Sequence, residues 1–368
     1  MESEIRDWYT KSAQTIQVKS QVQWQEEGER CTSYFFKRYK KRKDSSDISQ
    51  IPAEESRTSQ EIICQFYKQL FNNNSEDIKK DIDSFLDITL PQLSSEAKDK
   101  LSKPITNDEV ATVIQSVKSQ SAPGPDGVPY KWYQTNMDVL AGPLVKLFNQ
   151  VLENGEAPPT WRKTFIKLIP KGGKNLEMVS NWRLIALINC NAKLFSRVLT
   201  NRLSSFVHTI ISLVQEGFIH NKWIAHAAFD IMTTQEVLSK QKNSTAMLFM
   251  DQQKAYDRVD HRYLEAVLKK FACPENLQKA VTALYHKNTT QILSAEGPLR
   301  QISVKTGVRQ GDPLSPYLFN LSIEPLVHHL QEKLQGLTLT RSTFKMQLFA
   351  DNVTVGLQKY DEKAFIET

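Results

Sequence analysis

The sequence predicts a mixed fold, either α+β or α/β, in which helices and strands are interleaved along the chain. Apolar residues recur at helical spacing in several segments, for example Ile62, Ile63, Phe66 and Leu70. Short apolar runs end at polar residues, as in MLFM before Asp251. At 368 residues with 40% hydrophobic content, the chain is long enough for two or more sub-domains around a substantial core.

The first 103 residues are predicted to form a helical extension with a basic segment. Lys37 to Lys43 contains six bases within seven residues, listed in order as Lys37, Arg38, Lys40, Lys41, Arg42 and Lys43. Such a cluster is typical of nucleic-acid binding. A solvated helix face and a nuclear-import segment are equally compatible with it.

The amino-acid composition restricts the partners and the cell compartment that we expect for the protein. The net charge of +6 and the pI of about 8.9 favour acidic partners such as nucleic acid. The four cysteines lie far apart and form no CxxC pair, which indicates a reducing compartment and no zinc site. No apolar run reaches the roughly 18 residues of a membrane span. We therefore expect no membrane partner and an intracellular location, in the nucleus or the cytoplasm.

Several elements in the middle of the chain can be placed from local patterns. Thr106 begins a helix that runs to about Val117, since Thr, Asn and Asp favour a helix entry. A second helix covers VLAGPLVKLFNQVLENG and closes at Gly155. Between them SAPGPDGVP must be a shaped loop.

Two aspartates follow apolar strands at distant places in the chain. Asp251 ends the strand Ala246 to Met250, which is predicted to be buried, and Asp351 with Asn352 forms the two-residue tip of a hairpin. Carboxylates brought together at one sheet edge can hold Mg²⁺, which prefers oxygen ligands and leaves positions for water and phosphate. An ordinary turn and two unrelated strand-end aspartates are the alternative.

A third stretch, KTGVRQGDPLSPYLFNL, combines a polar turn with a helix start. Asp312 is predicted to cap the helix, with Pro313 at its first position. The preceding turn offers Arg309, Gln310 and the backbone of Gly311 to a flat polar ligand. Together with two metal-competent carboxylates, this turn indicates a cradle for a nucleotide and a template.

Six stretches resemble the ordered motifs of reverse transcriptases, most closely those of non-LTR retrotransposons of the long interspersed element class. They are GPDGVP (124 to 129), IPKGGK (169 to 174), NWRLIALINCNAKLFSRVL (181 to 199), MDQQKAYDRVD (250 to 260), GVRQGDPLSPYLF (307 to 319) and FADN (349 to 352). The resemblance runs from about Pro104 to the end. It implies an α+β right-hand polymerase fold, with fingers at about 104–240 and a palm with an antiparallel sheet at about 241–368.

This resemblance implies an RNA-directed DNA polymerase that extends a primer 3′-hydroxyl by two-metal nucleotidyl transfer. Asp251 and Asp351 would bind two Mg²⁺ ions, or Mn²⁺, with Asn352 beside them. The implied partners are an RNA template, a DNA primer and deoxynucleoside triphosphates.

The resemblance also implies roles around the nucleotide. Tyr256 would lie under the sugar and exclude a 2′-hydroxyl, and Arg183 would clamp the phosphates through its bidentate guanidinium. The remaining implied contacts come from Lys171 and Lys167 near the phosphates, from Gln310 and Gly311 at the nucleotide and template, and from the backbone carbonyl of Gln252 at a metal.

The sequence departs from the family pattern in three places. Asn352 stands where the family carries a second aspartate, Leu184 stands where a proline follows the arginine, and the chain ends at Thr368, soon after the hairpin. We therefore expect strongly reduced or absent polymerisation, no thumb and no endonuclease domain, as in a fragment of a retrotransposon polyprotein.

Two other functions use the same features. A catalytically inactive nucleic-acid-binding remnant would need only the basic segment and the positive charge. A two-metal nuclease or phosphohydrolase would also use paired carboxylates, although such sites usually carry more acidic or histidine ligands than this hairpin supplies.

Overall fold

The computed structural model describes residues 48–53, 56–72, 78–220, 222, 224–240, 245–339, 342–358 and 361–366. Helices and strands alternate through these ranges, which confirms the mixed fold. The α-helices are α1 Ser59–Phe71, α2 Ile78–Phe85, α3 Ser95–Ser102, α4 Asn107–Ser116, α5 Tyr130–Thr135, α6 Met137–Asn154, α7 Cys190–Ser204, α8 Ile224–Ser239, α9 Ala255–Arg258, α10 His261–Lys270, α11 Glu275–Tyr285, α12 Ser315–Lys333 and α13 Asp361–Ile366.

The strands of the described ranges form three sheets of five, three and two members. Their bounds are β1 Lys163–Pro170, β2 Trp182–Leu187, β3 Thr245–Asp251, β4 Asn288–Ser294, β5 Gly297–Pro298, β6 Ile302–Val304, β7 Leu337–Thr338, β8 Thr343–Phe344, β9 Met346–Phe349 and β10 Asn352–Gln358. Short 3₁₀ turns cover Ile48–Gln50, Pro159–Arg162, Val179–Asn181 and Val207–Thr209.

Local capping explains where the predicted helices begin and end. The Thr106 side chain accepts a hydrogen bond from the Glu109 amide while the Glu109 carboxylate accepts one from the Thr106 amide, so a capping box starts α4 as expected. Gly155 ends α6 in a left-handed conformation, with φ of 70°, and its amide donates to the Val151 carbonyl.

The five-stranded sheet is built around β1. This strand pairs antiparallel with β2 and parallel with β4, and β4 pairs antiparallel with both β5 and β6. The sheet therefore joins strands that are more than 100 residues apart in the chain.

The three-stranded sheet has the antiparallel order β3, β10, β9. The expectation that 246–250 is a buried strand was wrong, because β3 is half-exposed throughout and Phe249 keeps 57% of its surface accessible. Within the described residues β3 pairs only with β10, so it is an edge strand with one pairing side. In an edge strand such as β3, an apolar sequence does not mean that the side chains are buried.

The helix after the polar turn begins later than expected. α12 starts at Ser315, with Leu314 as its N-cap residue, whereas the sequence placed Pro313 at the first position. Asp312 instead accepts from the Leu314 amide at 3.0 Å and from the Ser196 hydroxyl at 3.2 Å. Its buried carboxylate therefore holds the turn ahead of the helix and ties that turn to α7.

Two apolar clusters fill the interior of the described residues. The larger runs from Ile82 to Val355 and joins most helices to the three-stranded sheet. The smaller packs α1, through Ile63 and Tyr67, against the five-stranded sheet at Trp182. Ile63 and Tyr67 are both fully buried, so α1 packs as part of the folded protein.

Candidate active site

The two predicted aspartates meet at one end of the three-stranded sheet. In the pairing of β3 with β10, Asn352 lies directly opposite Asp251, and Asp351 precedes Asn352 at the hairpin tip. Directly opposed residues of an antiparallel pair have Cα atoms about 4.5–5.5 Å apart. The register thus brings Asp251, Asp351 and Asn352 together although 100 residues separate the first from the second.

The hairpin tip differs by one residue from the predicted Asp351–Asn352 tip. The turn residues are Ala350 and Asp351, and Asn352 is already the first residue of β10. The left-handed conformation falls on Ala350, with φ of 55°. Because alanine pays a steric cost there, contacts around the tip must hold it in place.

The exposure of these three side chains suits a polar ligand. Asp251 and Asn352 are exposed and Asp351 is half-buried. Two carboxylates and an amide oxygen are hard oxygen donors of the kind that Mg²⁺ takes while keeping water and phosphate ligands. Within the described residues no group of three or more His, Cys, Asp or Glu side chains is placed to hold a metal. A cation here would thus depend on few protein charges.

Gln252 follows Asp251 and is half-buried. Its backbone carbonyl already accepts a hydrogen bond from the Ala255 amide at 3.3 Å. A carbonyl oxygen has a second lone pair, so this geometry still allows it to contact a cation.

Tyr256 lies close enough to Asp351 to feel its charge. Its ring stacks on Phe319, with centroids 4.6 Å apart, and meets Phe218 edge-on at 6.4 Å. Burial raises the pKa of its hydroxyl, and the nearby Asp351 carboxylate raises that pKa further. The hydroxyl oxygen is buried and has no hydrogen-bond partner among the described residues, while the ring is held by its aromatic neighbours.

The turn at Gln310 and Gly311 docks on the five-stranded sheet. The Ala186 amide of β2 donates to the Gln310 carbonyl at 2.9 Å, and Gly311 has φ of 110°. A Cβ on Gly311 would lie 3.1 Å from the Ala186 carbonyl oxygen. Only glycine adopts this φ readily, so the close approach depends on it.

The basic residues Arg183, Lys167 and Lys171 lie on or beside β1 and β2. Arg183 is exposed and pairs with Ile169 across the two strands, and Lys167 is half-buried. The Lys171 amide donates to the Asn181 carbonyl at 3.0 Å, which holds the glycine turn against the start of β2. The structure therefore groups these cations on one sheet.

Half-buried Lys254 and buried Asp257 are two charged residues near the site whose mutual electrostatic influence sequence reasoning missed. The Lys254 ammonium donates to the Trp182 carbonyl at 2.5 Å and lies 5.7 Å from the centre of the Tyr67 ring. Burial lowers its pKa to about 8, opposed by Asp257 and assisted by Lys171. Burial also raises the pKa of Asp257 to about 6, opposed by the two lysines.

The Asp257 carboxylate also reaches the polar turn. Gln310 donates to its Oδ1 at 3.5 Å, while Oδ2 has no partner in the part of the chain that the structure describes. These contacts connect the segment after Asp251 to the turn before α12. In the sequence, the only sign of the pair was two charges, Lys254 and Asp257, in a stretch that otherwise reads as a helix start.

Arg309 does not face the site. Its guanidinium donates to the Leu284 carbonyl at 2.6 Å and lies 5.5 Å from the centre of the Tyr285 ring. The expectation that it contacts a ligand was wrong. The buried Asp312 carboxylate and the Tyr285 ring draw the cation inward.

The basic segment Lys37 to Lys43 lies outside the described residues. Cys64, Cys190 and Cys273 are free thiols. Among the helices that the structure describes, none is long and apolar enough to cross a membrane.

Comparison with known families agrees with the site. Residues 169–367 match the family described as "Reverse transcriptase (RNA-dependent DNA polymerase)". This match covers more than half of the chain and includes Asp251, Asp351 and the turn at Gln310. The chain therefore belongs to the reverse transcriptase family.

Similar proteins place it more narrowly. It is 27% identical over 96% of its length to the "Transposon TX1 uncharacterized 149 kDa protein" of Xenopus laevis, covering 27% of that protein. It is 30% identical over 68% of its length to the Pol polyprotein of type-1 retrotransposable element R2 of Popillia japonica, covering 34% of it. The "RNA-directed DNA polymerase from mobile element jockey" of Drosophila melanogaster is 27% identical over 61% of the chain, which covers 25% of that protein.

These relatives confirm the non-LTR retrotransposon type of reverse transcriptase domain that the motifs indicated. The chain spans about a quarter to a third of the length of these curated relatives.

Proposed function

We propose that this chain carries out RNA-directed DNA synthesis, by nucleotidyl transfer to a primer 3′-hydroxyl. The observation that carries the proposal is the strand register that sets Asn352 opposite Asp251, with Asp351 at the adjacent tip. Tyr256 would lie beside this group, and the electrostatic effect of Asp351 on its hydroxyl supports its proximity to that carboxylate. The substrates would be deoxynucleoside triphosphates, with an RNA template and a DNA primer.

The proposed palm is the sheet of β3, β10 and β9, and the proposed fingers contain the five-stranded sheet. The latter takes β1 and β2 from the region before residue 240 and β4 to β6 from beyond it. The fingers would then be discontinuous in sequence. The predicted boundary near residue 240 would then mark only the start of β3, the first strand of the proposed palm.

Asp251 and Asp351 would hold two divalent cations, with the amide oxygen of Asn352 and the carbonyl of Gln252 as weaker donors. When bound, such cations lower the pKa of the attacking hydroxyl and offset the charge of the leaving group. The protein would supply the rigid edge that keeps the two carboxylates at one place. Their exposure supports this role, because a phosphate must reach them.

The nucleotide would lie between the carboxylates and the five-stranded sheet. Tyr256 would contact the sugar, and Gln310 and Gly311 would contact the nucleotide and template. Arg183 and Lys171 would bind the phosphates, since a guanidinium fits phosphate oxygens bidentately. Lys171 already acts electrostatically on Asp257, which bonds Gln310. Asp257 would then lie between the proposed phosphate contact and the proposed nucleotide contact.

Asn352 would reduce the rate. An amide oxygen can coordinate a cation but brings no charge, so among the described residues the edge carries the two carboxylates of Asp251 and Asp351 only. We expect slow synthesis with Mg²⁺ and faster synthesis with Mn²⁺.

Primer extension on an RNA template tests the proposal. The protein is incubated with a labelled DNA primer, deoxynucleotides and either Mg²⁺ or Mn²⁺, beside an Asp251→Asn variant. Asp108→Asn serves as a matched control, because Asp108 is exposed on α4 in a different element. Extension that depends on Asp251 but not on Asp108 supports the proposal. Extension that survives Asp251→Asn would show that the metal site is assigned to the wrong residues.

A nucleic-acid-binding remnant without catalysis is the second candidate, and Asn352 is the observation that favours it. Binding through phosphates should weaken steeply between 50 and 200 mM salt, at about 10³–10⁵-fold for 6–10 contacts. Steep salt dependence without extension, even in Mn²⁺, would select this candidate. The two-metal nuclease would instead release labelled fragments without nucleotides.

A further inference from the structure

Ala350, the left-handed residue before Asp351, is held by one buried side chain. The Ala350 amide donates to Oε1 of Gln215 at 2.9 Å, and Nε2 of Gln215 donates back to the Ala350 carbonyl at 3.3 Å. Gln215 is fully buried and lies 135 residues earlier in the chain. A primary amide is the side chain that can accept and donate at once from one planar group.

The backbone around Gln215 is also paired with the hairpin. The Leu348 amide of β9 donates to the Val214 carbonyl at 2.8 Å, and the Glu216 amide donates to the Leu348 carbonyl at 2.9 Å. Gln215 and Leu348 form a parallel bridge. This pairing fixes the distance between the Gln215 backbone and the tip, so the amide group can reach Ala350.

Gly217 allows the approach. A Cβ at this position would lie 2.3 Å from the Ala350 amide nitrogen, a distance at which the backbone must shift. The Gly217 amide also donates to Oε1 of Gln215 at 2.8 Å. Oε1 of Gln215 therefore accepts from two backbone amides, that of Gly217 in its own segment and that of Ala350 in the hairpin.

Helix α12 holds the other side of the segment 212–217. Asn320, which is fully buried, donates to the Gly217 carbonyl at 2.7 Å. One turn further along α12, Glu324 accepts from the amide and the hydroxyl of Ser212. Lys222 donates to the Gln215 carbonyl at 2.8 Å. Both ends of the segment are thus fixed to one helix.

We propose that Gln215 is a positioning residue that sets the place of Asp351 relative to Asp251 by clamping the backbone of Ala350. This inference rests on the proposed function for its catalytic consequence. Gln215 touches neither nucleotide nor metal. It acts through Ala350, whose left-handed conformation turns the chain so that Asp351 and Asn352 follow at the sheet edge.

The test uses Gln215→Met, which keeps the length and nearly the volume of the side chain but removes all three hydrogen bonds. Gly217→Ala displaces the tip by a different route. Gln358→Met is the matched control, because it makes the same substitution at the far end of β10, where Nε2 of Gln358 donates to the Gly336 carbonyl and the Thr338 hydroxyl. Asp251→Asn removes a proposed metal ligand and serves as the reference for weakened cation binding.

Three measurements are made on the 368-residue chain: hydrogen exchange, Mn²⁺ binding and primer extension. Hydrogen exchange followed by mass spectrometry reports the peptide spanning the tip, and Mn²⁺ titration followed by electron paramagnetic resonance reports the cation affinity. We expect Gln215→Met and Gly217→Ala to speed tip exchange about tenfold. We also expect them to weaken Mn²⁺ binding roughly 10–100-fold. In primer extension Gln215→Met should lower kcat and leave the nucleotide KM unchanged. Gln358→Met should change none of these at the tip.

The outcomes separate this inference from the proposed function. If Gln215→Met leaves tip exchange and Mn²⁺ affinity as in the unaltered chain while Asp251→Asn weakens binding, the clamp is refuted and the metal site stands. If Asp251→Asn has no effect on Mn²⁺ binding, the proposed metal site fails, and tip exchange alone then decides whether Gln215 holds the hairpin. Equal effects of Gln215→Met and Gln358→Met at the tip would reduce the role of Gln215 to general stability.

Discussion

At the scale of single residues, Asn352 has the position of a cation ligand but lacks the charge of one. Its place opposite Asp251 is what a cation ligand needs, but its side chain is neutral. The hydroxyl of Tyr256, which has no partner within the described residues, already lies in the field of Asp351. A second carboxylate at 352 would add to that field without a steric conflict, because Asn352 is exposed.

Asn352→Asp is therefore expected to increase primer extension. Oxygen ligands that carry charge bind Mg²⁺ more tightly, and we expect a gain of roughly 10–100-fold in rate at limiting Mg²⁺. Asn201→Asp is the control, since it adds the same charge on the exposed side of α7. The measurement is the single-turnover rate as a function of Mg²⁺ concentration. An equal gain from both variants would mean that overall charge, and not the site, sets the rate.

At the scale of elements, the sequence predicted those parts that local chemistry controls. The capping box at Thr106, the left-handed end at Gly155 and the hairpin around Asp351 all follow from patterns within a few residues. The exposure of β3 and the inward turn of Arg309 could not be predicted in this way. They depend on which strand pairs with β3 and on the buried Asp312 beside Arg309, and neither is a local property.

The turn before α12 offers a test at this scale. Gly311→Ala places a Cβ near the Ala186 carbonyl at a φ that alanine rarely adopts, at a cost of roughly 1–3 kcal/mol. The loop should move away from β2 and raise the KM for deoxynucleotides. Gly172→Ala is the matched control, because nothing lies within 4 Å of its Cβ position and its φ is ordinary. Unchanged KM in Gly311→Ala would argue that this turn does not contact the nucleotide.

Glu324 gives α12 a pH dependence. Burial raises the pKa of this carboxyl to about 7, opposed by the bonds from Ser212 and the charge of Lys222. An acid whose pKa is raised by folding contributes its full stability below the unfolded value of about 4.5, and this is lost as pH rises through about 7. Glu324→Gln should therefore remove up to about 3 kcal/mol of pH-dependent change between pH 4.5 and 7.

The measurement for Glu324 is the free energy of unfolding by urea at several pH values, for the unaltered chain and for Glu324→Gln. The difference between the two should grow in favour of the variant as pH rises. Glu332→Gln is the control on the exposed end of the same helix. A parallel pair of curves would show that Glu324 does not carry this titration.

At the scale of the whole molecule, the candidate site depends on contacts between distant segments. The five-stranded sheet joins β1 to β4, and Lys254 from the segment after Asp251 reaches Trp182 and Tyr67. The six motifs could be read from the sequence, and so could the convergence of Asp251 and Asp351. The contacts of Tyr67 and Gln215 could not be read from the sequence. Neither residue belongs to a local pattern, and each meets its partner only in the completed fold.

The predicted boundary between an N-terminal extension ending at residue 103 and the domain that follows remains a prediction, and α1 gives the means to test it. Ile63 and Tyr67 are fully buried against the five-stranded sheet, the Lys305 amide donates to the Phe71 carbonyl at 2.9 Å, and the Thr306 hydroxyl donates to the Leu70 carbonyl at 3.1 Å. Removing α1 would expose Trp182 and one side of the Lys254 ammonium to water.

We therefore expect a chain of residues 104–368 to be much less stable than one of residues 48–368. Loss of two fully buried side chains such as Ile63 and Tyr67 costs several kcal/mol, at about 2–5 kcal/mol for each. Two quantities are measured: the midpoint temperature of thermal unfolding and the binding of a dye to exposed apolar surface. The midpoint should fall and dye binding should rise in the 104–368 chain, and Ile63→Ala in the 48–368 chain should change both quantities in the same directions. If 104–368 unfolds cooperatively at the same temperature as 48–368, the helix α1 is not needed for the fold that carries the site.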